Sequence, residues 1–141
     1  MKIDAVADEE MVKNAVGENE YDALAIPPNA DVDLTNEMAR KAVAALREVF
    51  DPEIPVNIYE LGLIYKIDII GIEGSKEVDV YVEMSLTSPA CPVAQEMPGM
   101  VQSAIFPINN IRHVDVDIVW DPTWDPSMMA ETAKLQLNMF T

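Results

Sequence analysis

From Glu77 to Leu86 the chain alternates with a period of two. Val78, Val80, Val82, Met84 and Leu86 fall on one side, and Glu77, Asp79, Tyr81, Glu83 and Ser85 fall on the other. This pattern predicts a strand with one buried and one wet face. Leu63–Ile72 reads as a second strand, with Tyr65, Ile67 and Ile69 on one face, and Glu73-Gly74-Ser75-Lys76 supplies the turn of an antiparallel hairpin. Upstream the period lengthens. Ala39, Ala42, Val43, Leu46, Val49 and Phe50 share one helical face, with Arg40, Lys41, Arg47 and Glu48 away from it. Thr35 is the expected N-cap, and Asp51-Pro52 ends the helix because the residue before proline is pushed out of the helical region.

Beyond the hairpin, Thr87–Pro92 reads as a loop running into a helix. Cys91 takes the cap, Pro92 the first helical position, and Ala94, Met97, Val101, Ala104 and Ile105 point inward. Pro98-Gly99 should kink this helix or delay its regular part. Val114, Val116, Ile118 and Trp120 form the inner face of a third strand. Asp125 caps a last helix with Pro126 at its first position and Met129, Ala133 and Leu137 packing inward. The order α-β-β-α-β-α predicts a two-layer α/β (α+β) domain. Its small mixed sheet has three strands, one parallel pairing arises from the strand–helix–strand crossover, and the helices lie mainly on one face.

Residues 1–34 break these periodicities. They are rich in Asp, Glu, Asn and Ala and contain Pro27-Pro28, which predicts an acidic, flexible N-terminal arm before a domain at 35–141. A short helix is expected near Glu9–Val16, and Tyr21, Leu24 and Ile26 are apolar enough to dock on the domain.

Charge narrows the function classes. With 25 acidic and 9 basic residues the formal net charge is −16, which repels phosphate backbones and anionic headgroups and argues against nucleic acid and membrane as partners. No apolar run approaches the roughly 20 residues needed to span a bilayer, and the acidic start MKIDAVADEEMVKN is not a secretory signal. A lone cysteine forms no internal disulfide, so the expected compartment is the cytoplasm.

The candidate chemistry centres on Cys91. A thiol at a helix N-terminus is biased towards thiolate, the nucleophilic and metal-binding form. Thr87 and Ser88 add hydroxyls, but the acidic surroundings work the other way. Free cysteines are among the most buried residues, so on the residues alone a structural thiol stands ahead of a functional one. A Cys–His nucleophile would have to recruit the one histidine, His113, with no third orienting group in view. There is no CxxC, HxxxH or EF-hand spacing, and no glycine-rich phosphate loop. An iron–sulfur cluster takes about four protein ligands. A chain with one thiol could therefore handle a cluster only by sharing its ligation with a partner, a second subunit of a homodimer, or a small thiol. Carboxylates gather at Asp51 and Glu53 and at Asp121 and Asp125, where turn formation beside proline explains most of them.

Three segments carry a resemblance. DPEIPVNIYELGLIY (Asp51–Tyr65), TSPACPVAQEMPG (Thr87–Gly99) and VWDPTWDPSMMAETAKLQL (Val119–Leu137) resemble, in order and spacing, the SufT/PaaD-like iron–sulfur assembly family over residues 36–137. The resemblance implies a two-layer α/β fold and an accessory, non-enzymatic role in iron–sulfur cluster assembly or protein maturation, alongside the SUF system. Cys91 would be a shared cluster ligand or docking thiol, with Thr87, Asp51 and Glu53 lining its site. No cofactor would be bound stably, only a transient iron–sulfur cluster or iron, and the partners would be assembly proteins and apoprotein targets. The chain lacks the cysteine-rich extension of the phenylacetate-oxygenase branch and the nucleotide-binding domain of the scaffold ATPases, so it is most similar to stand-alone bacterial members. An assembly subunit for a metal-containing oxygenase is the alternative, and a thiol enzyme acting through Cys91 is a third class.

Overall fold

The computed structural model describes residues 24–51, 54–87 and 96–140. The first strand, β1 (Asp31–Val32), leads through helix α1 (Glu37–Leu46) to the hairpin β2 (Ile64–Gly71) and β3 (Val78–Met84). Helix α2 (Met97–Ile105), strand β4 (Ile111–Ile118), a 3-10 turn (Pro126–Met128) and helix α3 (Glu131–Phe140) follow. The sheet order is β1-β2-β3-β4, with β1 parallel to β2, β2 antiparallel to β3 and β3 parallel to β4. Two parallel crossovers thus flank one hairpin. The sheet has four strands, not three, because Asp31 and Val32 pair with Lys66 and Ile67. Two residues carry no periodicity, so this strand leaves no trace in the hydrophobic pattern.

Asn36, not Thr35, caps α1. Its Oδ1 accepts from the Met38 and Ala39 amides at 2.8 and 3.1 Å, while Thr35 donates back to Asp33. Ala39, Ala42 and Leu46 are buried, and the small alanines let the helix approach the sheet closely. Pro98 sits in the first turn of α2, where its missing N–H is no loss, and Met97, Val101 and Ile105 are buried. One core joins Leu46 of α1, Val101 and Ile105 of α2 and Ala133 of α3 to Ile67, Val80, Val82, Met84 and Val114 of the sheet. Each large aliphatic side chain buried there stabilises the fold by about 1.5–3 kcal/mol.

Register sends the remaining side chains to the other face: Lys66, Asp68 and Ile70 from β2, Asp79, Tyr81 and Glu83 from β3, and His113, Asp115 and Asp117 from β4. Strand β4 is a sheet edge. The Val119 amide reaches Met84 O at 2.8 Å, so residues of opposite parity turn their backbone groups to the free edge. Val114 is one of these, and Gln102 Nε2 of α2 occupies its carbonyl at 3.0 Å.

Three side chains leave their expected places. Trp120 lies beyond the end of β4 and is 47% exposed. Ser85, expected on the wet face, is fully buried because the alternation stops where β3 ends at Met84. Arg47, expected away from the apolar face, follows the last turn of α1 and reaches inward to Glu60. Asp125 accepts from the Ser127 amide at 2.8 Å, but it caps the 3-10 turn, and the α-helix starts only at Glu131. Helix α2 starts at Met97 with Glu96 as its N-cap, not at Pro92 with Cys91 as the cap. The expected helix at Glu9–Val16, the docking of Tyr21, and Ala94 lie outside the described residues. No helix among the described residues is long and apolar enough to cross a membrane.

Candidate functional site

Antiparallel pairing brings the loop before β2 and the segment after β3 out at the same end of the sheet. The Ser85 amide donates to Leu63 O at 2.8 Å, and Ile64 pairs with Met84. Because β4 runs parallel to β3 and closes on Met84 through Val119, the segment after β4 emerges there as well. Residues 54–63, the chain leaving at Ser85–Thr87, and segment 119–130 therefore meet at one end. Two of these belong to stretches that the sequence singles out, and Thr87 opens the third.

Asp51 and Thr87 both belong to this end, and both are half-buried. Asp51 O accepts from the Ile54 amide at 3.3 Å at the mouth of the first loop, and Thr87 follows the buried Leu86. Glu53 and Cys91 lie outside the described residues.

Beneath the loops sits a group that the hydrophobic pattern hides. Glu60 is fully buried among apolar neighbours. Its Oε2 accepts from Arg47 Nε at 2.9 Å and from Asn57 Nδ2 at 3.1 Å, and its Oε1 accepts from the Thr132 hydroxyl. Its own amide donates to Asn57 Oδ1 at 2.9 Å, and its carbonyl accepts from the Ala130 amide at 2.8 Å. Burying a carboxylate is costly unless it is paired and hydrogen-bonded, and here donors from α1, the loop and α3 serve that end. The only trace in the sequence is one charge inside the apolar run Ile58–Leu63.

Segment 119–130 is fastened over the same end. Trp124 Nε1 donates to Leu61 O at 2.9 Å, and the Tyr65 hydroxyl donates to Pro122 O at 2.8 Å. Burial pushes the Tyr65 phenol up from its ordinary value. The Ser85 hydroxyl opposes that shift, but at a geometry short of a hydrogen bond. Ser85 Oγ is thus a buried hydroxyl with no hydrogen-bond partner among the described residues. Gly62, at φ +88°, passes against Met128 where no side chain fits.

Among the described residues no three His, Cys, Asp or Glu side chains stand close enough to hold a metal. His113 pairs with Asp115 at 3.2 Å on the far face of the sheet. The frame can therefore hold three loops in register and present what they carry, but its described residues form no ready-made metal centre.

Comparison with known proteins adds the following. Residues 39–118 match the family described as iron–sulfur cluster assembly protein. The Fe–S protein maturation auxiliary factor of Porphyromonas gingivalis is 42% identical over 96 residues, covering 68% of this chain and 87% of its own. The Fe–S protein maturation auxiliary factor SufT of Staphylococcus aureus is 37% identical over 91 residues, covering 64% and 98%. A crystal structure of a domain of unknown function from Bacillus anthracis superposes with a TM-score of 0.62 at 30% identity, over 72% of this chain and 92% of that one.

Proposed function

The chain belongs to the iron–sulfur cluster assembly protein family, and from that premise we propose that it is an accessory factor in iron–sulfur protein maturation, working through Cys91 and not as an enzyme. The observation that supports the reading is that residues 54–63, Ser85–Thr87 and segment 119–130 meet at one end of the sheet, joined through Leu63–Ser85, Trp124–Leu61 and Glu60–Ala130. Around 60 residues separate the outer segments in the chain, and the fold spends a buried carboxylate and two side-chain bonds to hold them together. The chain leaves this frame at Thr87, and the lone thiol, Cys91, follows four residues later in the sequence.

In this reading Cys91 is one ligand among several for a transient iron–sulfur cluster or iron. The remaining ligands come from a partner protein, a second copy or a small thiol, since a cluster takes about four. Asp51, Glu53 and Thr87 line the approach. The partners are assembly proteins and apoprotein targets, and the work is done in the cytoplasm, where thiols stay reduced. The names of the relatives favour this role over assembly of an oxygenase complex.

Cys91→Ser is the test. The expected result is an unchanged thermal midpoint with lost activity of iron–sulfur enzymes in cells that depend on this chain. Full complementation by a stable variant overturns the ligand role. Marked destabilisation makes Cys91 a core thiol, because a buried hydroxyl left without a partner costs about 1–3 kcal/mol.

A further inference from the structure

We propose that the outer face of the sheet is a docking surface for a basic, extended segment of a protein partner. Parallel strand pairs ordinarily lie covered on both faces. Here β3 and β4 are parallel, the helices join the core on one side, and the outer residues from Lys66 to Asp117 remain half-buried or exposed. Ile70, at 51% exposure, adds an apolar contact at one end of this face.

Charge selects the occupant. The carboxylates Asp68, Asp79, Glu83, Asp115 and Asp117 face two permanent cations, Lys66 and Arg112. Those cations are already engaged, Lys66 with Asp68 at 3.4 Å and Arg112 with Asp79 at 2.7 Å. Glu83 and Asp117 are register partners on neighbouring strands, and the Tyr81 oxygen lies 2.9 Å from one and 3.0 Å from the other. A phenol has one hydrogen, so it serves one carboxylate at a time and the second keeps its charge towards solvent. Neighbouring strands lie about 4.8 Å apart. One guanidinium can therefore reach both carboxylates while stacking on the Tyr81 ring. A net charge of −16 steers a cationic partner in and turns phosphate-bearing ones away. The proposal concerns this face alone and stands independently of any role for Cys91.

The test uses the full chain and a fluorescein-labelled octapeptide of alternating arginine and valine, with a glutamate–valine octapeptide as control. Binding is read by polarisation at physiological ionic strength, and the contact is mapped by amide shifts in ¹⁵N spectra of the unmutated chain. The double variant Glu83→Gln/Asp117→Asn should weaken the arginine peptide by about tenfold or more. Glu37→Gln/Glu131→Gln removes the same charge from helix surfaces and should weaken it by less than about twofold. Shifts should cluster on the outer positions of β2, β3 and β4. Equal weakening by both variants, shifts centred elsewhere, or no binding of the arginine peptide overturns the proposal, and the mapping decides even if the double variant does not fold.

Discussion

Gly62 and Met128 meet so closely that a Cβ on the glycine would stand 2.3 Å from the Met128 carbonyl oxygen and 2.8 Å from its carbonyl carbon. The atoms in the way are backbone, held in the 3-10 turn that Asp125 caps, and they cannot swing aside as a side chain would. The φ of +88° adds a second demand, since left-handed backbone costs a residue with a Cβ roughly 1 kcal/mol.

Gly62→Ala should therefore destabilise the chain by more than about 3 kcal/mol, combining overpacking with backbone strain. Gly74, at φ +76° with nothing within 4 Å of its would-be Cβ, isolates the strain, and Gly74→Ala should cost only about 1 kcal/mol. Urea unfolding of both variants checks the pair. Equal costs would mean that the close approach to Met128 contributes nothing.

Arg47 and Glu60 supply a second prediction. The carboxylate is fully buried and the guanidinium about a quarter exposed. Arg47→Met leaves a buried charge short of its cation and should cost about 3 kcal/mol. Glu60→Gln keeps the shape and removes the charge. Its amide would face either the Arg47 and Asn57 donors or the Thr132 hydroxyl, which can rotate to accept, so the loss should be smaller, about 1–2 kcal/mol. Chemical denaturation ranks the two. A Glu60→Gln variant weaker than Arg47→Met would contradict this account.

Tyr81 predicts a pH dependence. Its hydrogen bond to Glu83, with desolvation and the Asp117 carboxylate adding, pushes the phenol well above its ordinary value of 10.0. A raised folded value means that the protonated form is favoured by folding. The contribution is complete below pH about 10 and fades as pH climbs through the folded value. The advantage of the natural chain over Tyr81→Phe in urea midpoint should thus be full at neutral pH and shrink above pH about 10. Ultraviolet titration should show a late-ionising tyrosine that Tyr81→Phe removes. If every tyrosine ionises near the ordinary value, the contacts with Glu83 and Asp117 do not persist in solution.

Much of this fold was legible because its causes are local. The run Val78–Met84 alternates since every second residue packs against the helices, and Pro98-Gly99, expected to kink α2 or delay its regular part, falls in the first turn of a helix that starts later than Pro92. What stayed hidden depends on distant partners. Glu60 meets Arg47 across 13 positions and Thr132 across 72, and no periodicity encodes either contact. Ser85 looked wet because alternation was extended one residue past the end of β3. Of the expected site residues, Asp51 opens the loop before β2 and Thr87 follows β3, two stretches that strand direction sends to the same end of the sheet. Glu53 and Cys91 lie outside the described residues.

The edge at β4 has a consequence for life at high concentration. An uncovered strand of eight residues is a template on which another chain can zip, and stacked copies are the beginning of a fibril. Gln102 has already filled the Val114 carbonyl on that edge, and Asp115 and Asp117 place like charges wherever an identical strand would try to lie in register. A newcomer would have to strip an amide from its bond and bring carboxylates together. The molecule is thereby guarded against copies of itself along an eight-residue border that stays unpaired among the described residues.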